Sequence, residues 1–216
     1  MSDIFHEVDE EVRREQLNKL WQRHGKLIIA AVILIVIAVA GWRGYRWWED
    51  RRAAETGAAF DAAAELAEQG KPAEAEAAFA RIAAQGIVGY RMLARLREAE
   101  TAAERDAKAA IAAYDAIAAD PALEPALRDF AGVRAGLLML DSAPLDEITR
   151  RLEPLAEPGR AFRHTARELL ALAAFKAGEG AAARKWYDAI VADAETPQNL
   201  RARVEVLMAL SGASKS

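Results

Sequence analysis

The sequence predicts an all-α protein: a single N-terminal transmembrane helix followed by an α-solenoid of about four helical hairpins. Three observations carry that expectation. Leu27 to Trp42 is a sixteen-residue run without a charge. A small, aromatic, aliphatic signature recurs at intervals of about 35 residues after it, and clusters of helix breakers fall between the recurring segments.

The first 24 residues form a tail ahead of the apolar run. Ser2 or Asp3 can cap a helix whose early acids complement its dipole, and Ile4, Val8, Val12, Leu17, Leu20 and Trp21 fall at roughly helical spacing. This reads as an amphipathic cytosolic tail, either a docking segment for a membrane partner or an interfacial helix that sets the depth of the anchor.

Residues 25–48 hold the transmembrane helix and its aromatic flank. The sequence LIIAAVILIVIAVAGW, with Leu27, Ile33, Ile37 and Trp42 along it, spans about 24 Å as a helix against a hydrocarbon core of about 30 Å. The flanks make up the difference. Lys26 and Arg43 can extend their charges outward while their methylenes stay in lipid. Trp21 on one side, and Trp42, Tyr45, Trp47 and Trp48 on the other, are side chains that favour the headgroup layer. Two other readings are open: a buried core helix, and a signal peptide cut after Ala38-Val39-Ala40, at Gly41. The six acids Asp3, Glu7, Asp9, Glu10, Glu11 and Glu15 in the leader are unlike a short basic signal-peptide start. Arg13, Arg14, Lys19, Arg23 and Lys26 precede the run, while Arg43, Arg46, Arg51 and Arg52 follow it. The positive-inside count is nearly a tie, broken by length: a short tail stays in the cytosol and a long C-terminal domain translocates.

Residues 49–210 form the repeat domain. From Gly44 to Gln69 there is no proline, so the transmembrane helix is expected to continue into the first helix of the domain. Ala75, Phe79 and Ile82 return as Ala110, Tyr114 and Ile117, and again as Ala183, Tyr187 and Ile190. Ile148, Leu152 and Leu155 fill the gap, so the series has offsets of 35, 38 and 35 residues. A small residue with larger ones at i+4 and i+7 lies on one helical face, where it admits a neighbouring helix. Twelve residues earlier stand Ala63, Glu98, Gly136 and Ala171, three of them small, as a closely approaching partner helix requires. Turns are expected at Gly70-Lys71-Pro72, Asp141-Ser142-Ala143-Pro144 and Gly178-Glu179-Gly180, with units closed by Pro121, Pro158 and Pro197. Such units look like tetratricopeptide repeats, with a capping helix from Pro197 to Leu210. An Ala-rich bundle without regular stacking is the alternative, and residues 211–216 read as a disordered tail.

Composition narrows the function. The chain has 216 residues, 53% of them hydrophobic, and a formal charge of −4. From Ala53 onward 20 Lys and Arg face 25 Asp and Glu, so nucleic acid is not an expected partner. With no cysteine, disulfides and thiolate metal sites are excluded. The three histidines are His6, His24 and His164. His164 and Glu168 share a helical face but need further ligands to hold a metal. No nucleophile or phosphate-loop motif is present, so no enzyme activity, cofactor or small-molecule substrate is expected. The expected working surface is the face built from the first helix of each hairpin. There Arg91, Arg95, Arg128, Arg134, Arg163 and Arg167 either line a groove or serve as solubilising charges.

The leader begins Asp3-Ile4-Phe5 and contains Arg14-Glu15-Gln16-Leu17-Asn18-Lys19-Leu20-Trp21, followed by one span and degenerate hairpins. In that order it resembles the YfgM-like ancillary subunits of the bacterial SecYEG translocon, in their alphaproteobacterial form. The resemblance implies a single-pass inner-membrane protein with a cytosolic N-terminus and a periplasmic domain. It also implies Sec translocon subunits and periplasmic chaperones as partners, inner-membrane lipid around the anchor, and a role in handing exported proteins to those chaperones. A scaffold for cell-envelope assembly or stress signalling is the alternative function for the same architecture.

Overall fold

The computed structural model describes the backbone of residues 3–210 and the side chains of residues 21–209. The side chains of residues 1–20 of the amphipathic tail, and the terminal 211–216 expected to be disordered, lie outside the described residues. Helix α1 runs Asp3–Glu68. After it come α2 Pro72–Gln85, α3 Val88–Ala103, α4 Ala107–Ala118, α5 Pro125–Met139, α6 Leu145–Leu152, a 3-10 turn Glu153–Leu155, α7 Arg163–Lys176, α8 Gly180–Ala192 and α9 Gln198–Leu210. Among the described residues there is no strand. The chain divides into two compact units, 1–55 and 56–216, so the boundary falls inside α1, seven residues beyond the 48/49 boundary read from the sequence.

In the first unit the helix is apolar and bare. Every residue from Lys26 to Asp50 is exposed. Among the described residues one helix, from Trp21 onward, is long and apolar enough to cross a membrane, and only 6% of its most apolar stretch is buried.

In the second unit the chain alternates helix and tight turn, and local chemistry sets each boundary. The end of α1 closes on Gly70 at φ +71°, which frees Lys71 N–H to reach Leu66 O at 3.0 Å and Gly70 N–H to reach Ala67 O at 3.0 Å. The same left-handed closure recurs after α7 at Gly178, φ +76°, with Glu179 N–H on Ala174 O at 2.9 Å. Both are Schellman caps, which satisfy carbonyls that the helix end would otherwise orphan. Pro72 and Pro125 open α2 and α5, where the missing N–H is not needed. Asp106 caps α4 by accepting from Lys108 N and Ala109 N, each at 3.0 Å.

The core is a series of small clusters strung along the chain. The end of α1, with α2 and α3, buries Ala63, Ala75, Phe79, Ile82 and Ala94. Helices α3, α4 and α5 bury Ala99, Tyr114, Ile117, Ala131 and Ala135. Helices α5 to α8 enclose Ile148, Leu152, Leu155, Leu170 and Trp186, and α7 to α9 enclose Ala183, Ile190, Leu200, Val204 and Met208. Each helix from α2 onward packs on its successor, and α7 also touches α5 and α9. A chain whose contacts are mostly with its neighbours in sequence is what repeated hairpins produce.

Two details depart from the pattern read in sequence. Glu98 is half-buried, and the fully buried small residues on α3 are its near neighbours Ala94 and Ala99. Ala99 takes the place against Tyr114 and Ile117, because a carboxylate at the contact itself would be stripped of water. Burial pushes the Glu98 carboxyl above its ordinary range, and the nearby Glu76 charge adds to the effect. On α8, Tyr187 is only half-buried and packs on the cluster shared with α9, while the buried aromatic is Trp186, which serves the preceding cluster.

Candidate functional site

The first candidate surface is the apolar stretch. Leu27 is 68% exposed, Ile33 53%, Ile37 65% and Trp42 63%. Contiguous apolar surface on this scale does not persist in water, so it requires a lipid or protein cover. Trp21, Tyr45, Trp47 and Trp48 are also exposed, as are Lys26 and Arg43. Beyond the run, arginines one helical turn on lie over tryptophan rings. Arg46 stands 5.4 Å from the Trp42 centroid, Arg51 5.6 Å from Trp47, and Arg52 4.9 Å from Trp48. These cation–π pairs follow from the i, i+4 spacing and present an aromatic and cationic collar after the apolar segment.

The second surface is a groove in the hairpin domain. Phe60 near the end of α1, Leu93 and Leu96 on α3, Tyr114 on α4 and Phe130 on α5 line a cleft of about 360 Å³. Three of those four helices are the first members of successive hairpins. Leu93 on α3 is half exposed, an apolar side chain open to the cleft. Charges rim the cleft: Arg97 pairs with Glu100 at 2.9 Å, and Arg134 with Glu100 at 3.4 Å. Arg134 also donates to the Tyr114 hydroxyl at 3.4 Å and lies over that ring. An apolar floor with a guanidinium rim suits an apolar side chain of a partner segment with a carboxylate beside it.

Most of the arginines proposed from sequence for this groove are used elsewhere. Arg95 donates to Asp120 at 2.7 Å, beyond the end of α4, and holds that carboxyl below its ordinary range. Arg163 and Arg167 converge on Asp193, at 3.1 and 2.8 Å, and Arg167 also donates to the Ala156 carbonyl at 3.0 Å. Those two guanidiniums hold Asp193 far below the usual carboxylate range. Arg128 lines a different cavity, and Arg134 is the member of the set that reaches the groove. Arg97, Leu93 and Phe130 were not singled out in sequence. The available signal was their position on first helices, out of phase with the packed small residues.

Ala75, Phe79 and Ile82, Ala110, Tyr114 and Ile117, and Ala183 and Ile190 are all buried in the structure, whereas Tyr187 is only partly buried. His164 packs beside Thr196, its Nδ1 3.1 Å from the hydroxyl, and burial depresses its pKa. Among the described residues no group of three or more His, Cys, Asp or Glu is arranged to hold a metal.

A family model for a tetratricopeptide repeat-like domain matches residues 18–209. The chain belongs to that family. No curated protein and no solved structure matches it. The tetratricopeptide-like domain is a protein-interaction scaffold, which makes the groove rimmed by Arg97, Glu100 and Arg134 the candidate partner surface.

Proposed function

We propose that the chain is a membrane-anchored interaction module, an ancillary subunit of the Sec translocon that links exported proteins to periplasmic chaperones. The observation that carries this reading is the pairing, in one polypeptide, of an uncovered apolar helix with tetratricopeptide-like hairpins. In it Leu27, Ile33, Ile37 and Trp42 lie in the hydrocarbon of the inner membrane. Trp21, Lys26, Arg43, Tyr45, Trp47 and Trp48 lie at its two faces, with the N-terminus cytosolic and the hairpins periplasmic. The mechanism is effective concentration. A module fixed to the membrane beside an exit site meets its partners at local concentrations that can reach the millimolar range, so weak contacts in the groove suffice.

The reading is tested by a photo-crosslinking side chain placed at Leu93, at the groove, in native membranes. Recovery of translocon subunits and periplasmic chaperones is expected. Recovery of envelope-assembly or signalling complexes instead refutes the translocon role and favours the scaffold alternative. Release of the mature chain by alkaline carbonate refutes the anchor.

A further inference from the structure

The charges that follow the apolar run are layered along α1. Arg43 and Arg46 stand within about 6 Å of Trp42 along the helix axis, whereas the first carboxylates, Glu49 and Asp50, stand about 10–12 Å from it. The headgroup layer on each side of a bilayer is about 5–7 Å deep. On the anchored reading proposed above, with Trp42 at the edge of the hydrocarbon, the two guanidiniums fall inside that layer and the two carboxylates beyond it, in water.

The two cations also share a face. Arg43 and Arg46 are three residues apart, and with Trp42 and Trp47 they occupy an arc of about 140° at about 100° per residue. Trp42 and Trp47 are each 63% exposed, and the Arg46 guanidinium lies 5.4 Å from the Trp42 centroid. Farther along, Arg51 is paired with Glu55 at 3.1 Å, whereas among the described residues neither Arg43 nor Arg46 has a carboxylate within ion-pair distance. Asp50 falls on the same arc one turn beyond Arg46, so it tempers the field on the water side and leaves the inner tier cationic.

That tier is unfavourable without a counter-charge. Like charges on neighbouring positions of a helix repel. In the proposed orientation, cations on the outer face also work against the positive-inside bias and an inside-negative membrane potential. A phosphate between the guanidiniums relieves the repulsion and accepts hydrogen bonds from both forks. A zwitterionic headgroup brings an ammonium that competes for its own phosphate, and an anionic headgroup does not.

We infer that Arg43 and Arg46, framed by Trp42 and Trp47, form a binding site for the phosphate of an anionic phospholipid in the outer leaflet. The guanidiniums hold the phosphate, and the indole rings lie against the glycerol and upper acyl chains and fix its depth.

The test uses the intact protein in phosphatidylcholine vesicles. A small, fixed fraction of the lipid is brominated phosphatidylglycerol or, in a parallel set, brominated phosphatidylcholine. Bromine quenches tryptophan fluorescence on contact, and Trp21 and Trp186 contribute alike in parent and variants. The anionic quencher is expected to associate at least about five-fold more strongly, the factor that one surface cation supplies. Arg43→Gln/Arg46→Gln is expected to lower that preference at least about three-fold. Arg51→Gln/Arg52→Gln, which removes the same charge farther from the bilayer, is expected to keep it. No preference in the parent, a preference kept in Arg43→Gln/Arg46→Gln, or an equal loss in the two double variants overturns the site. Carbonate extraction of the same vesicles separates this inference from the anchor on which it rests. Protein that stays in the bilayer without a preference refutes the lipid site alone, whereas released protein refutes the anchor and the site together.

Discussion

A β-carbon added at Gly136 would sit 2.5 Å from Leu152 Cδ2 and 2.9 Å from its Cγ. Carbons pack at about 3.5–4.0 Å, so Gly136→Ala forces α5 and α6 apart by roughly 1 Å or twists Leu152 off its rotamer. Leu152 is fully buried and its cluster is shared with α7, so it has no free space to enter. Overpacking of this kind costs about 1–3 kcal/mol, partly offset by up to about 1 kcal/mol of helix propensity gained over glycine. Gly89 on α3 has nothing within 4 Å of the equivalent position, so Gly89→Ala reports the propensity gain alone. Urea unfolding of the intact protein in mild detergent, followed by far-ultraviolet circular dichroism, is expected to place Gly136→Ala about 1–3 kcal/mol below Gly89→Ala. In a Leu152→Ala background the added methyl has room, and its cost is expected to fall by at least about 1 kcal/mol. Equal stability of the two glycine variants, or no coupling to Leu152, would refute the close approach of α5 and α6.

Other perturbations separate the parts of the molecule. Phe79→Ala, at a buried ring, is expected to cost about 3–5 kcal/mol, and Tyr187→Ala less, since that ring is only partly buried; urea midpoints compare them. Asp193, whose folded pKa lies far below the unfolded value of about 3.9, stabilises the fold above that value. As the pH falls below about 4 the unfolded chain binds the proton first, so the gap in stability between the parent and Asp193→Asn is expected to shrink there. His164 follows the same sign: its depressed pKa makes the neutral ring the folded form. His164→Gln is therefore expected to flatten the decline in stability below about pH 6.5. Leu34→Arg places a charge mid-run, at a cost of about 2.5–3.5 kcal/mol for a spanning helix, and is expected to move the protein toward the carbonate-soluble fraction.

The helical order was legible because its determinants are local. Ala75, Phe79 and Ile82 announce a buried face by spacing alone, and Gly70 and Gly178 mark the turns through a backbone conformation that favours glycine. At Glu98 local spacing failed, since which of several adjacent small residues meets the next helix depends on how far α3 is rotated. Trp186 and Tyr187 posed the same difficulty, being consecutive and both able to fill a core. The groove was less legible still. Arg95, Arg163 and Arg167 stand on the expected helices, yet their acceptors, Asp120 and Asp193, lie 25 or more residues away. Charge partners at that separation exist only once the hairpins have packed, so periodicity has no record of them.

Helix α8 sends adjacent aromatic side chains into separate clusters, Trp186 toward the one shared with α5 to α7 and Tyr187 toward the one shared with α9. Any roll of this helix about its axis that eased one ring would prise out the other. Its amides should consequently exchange with solvent only when flanking helices on both sides open together. The C-terminal third of the chain is then expected to unzip as one cooperative block.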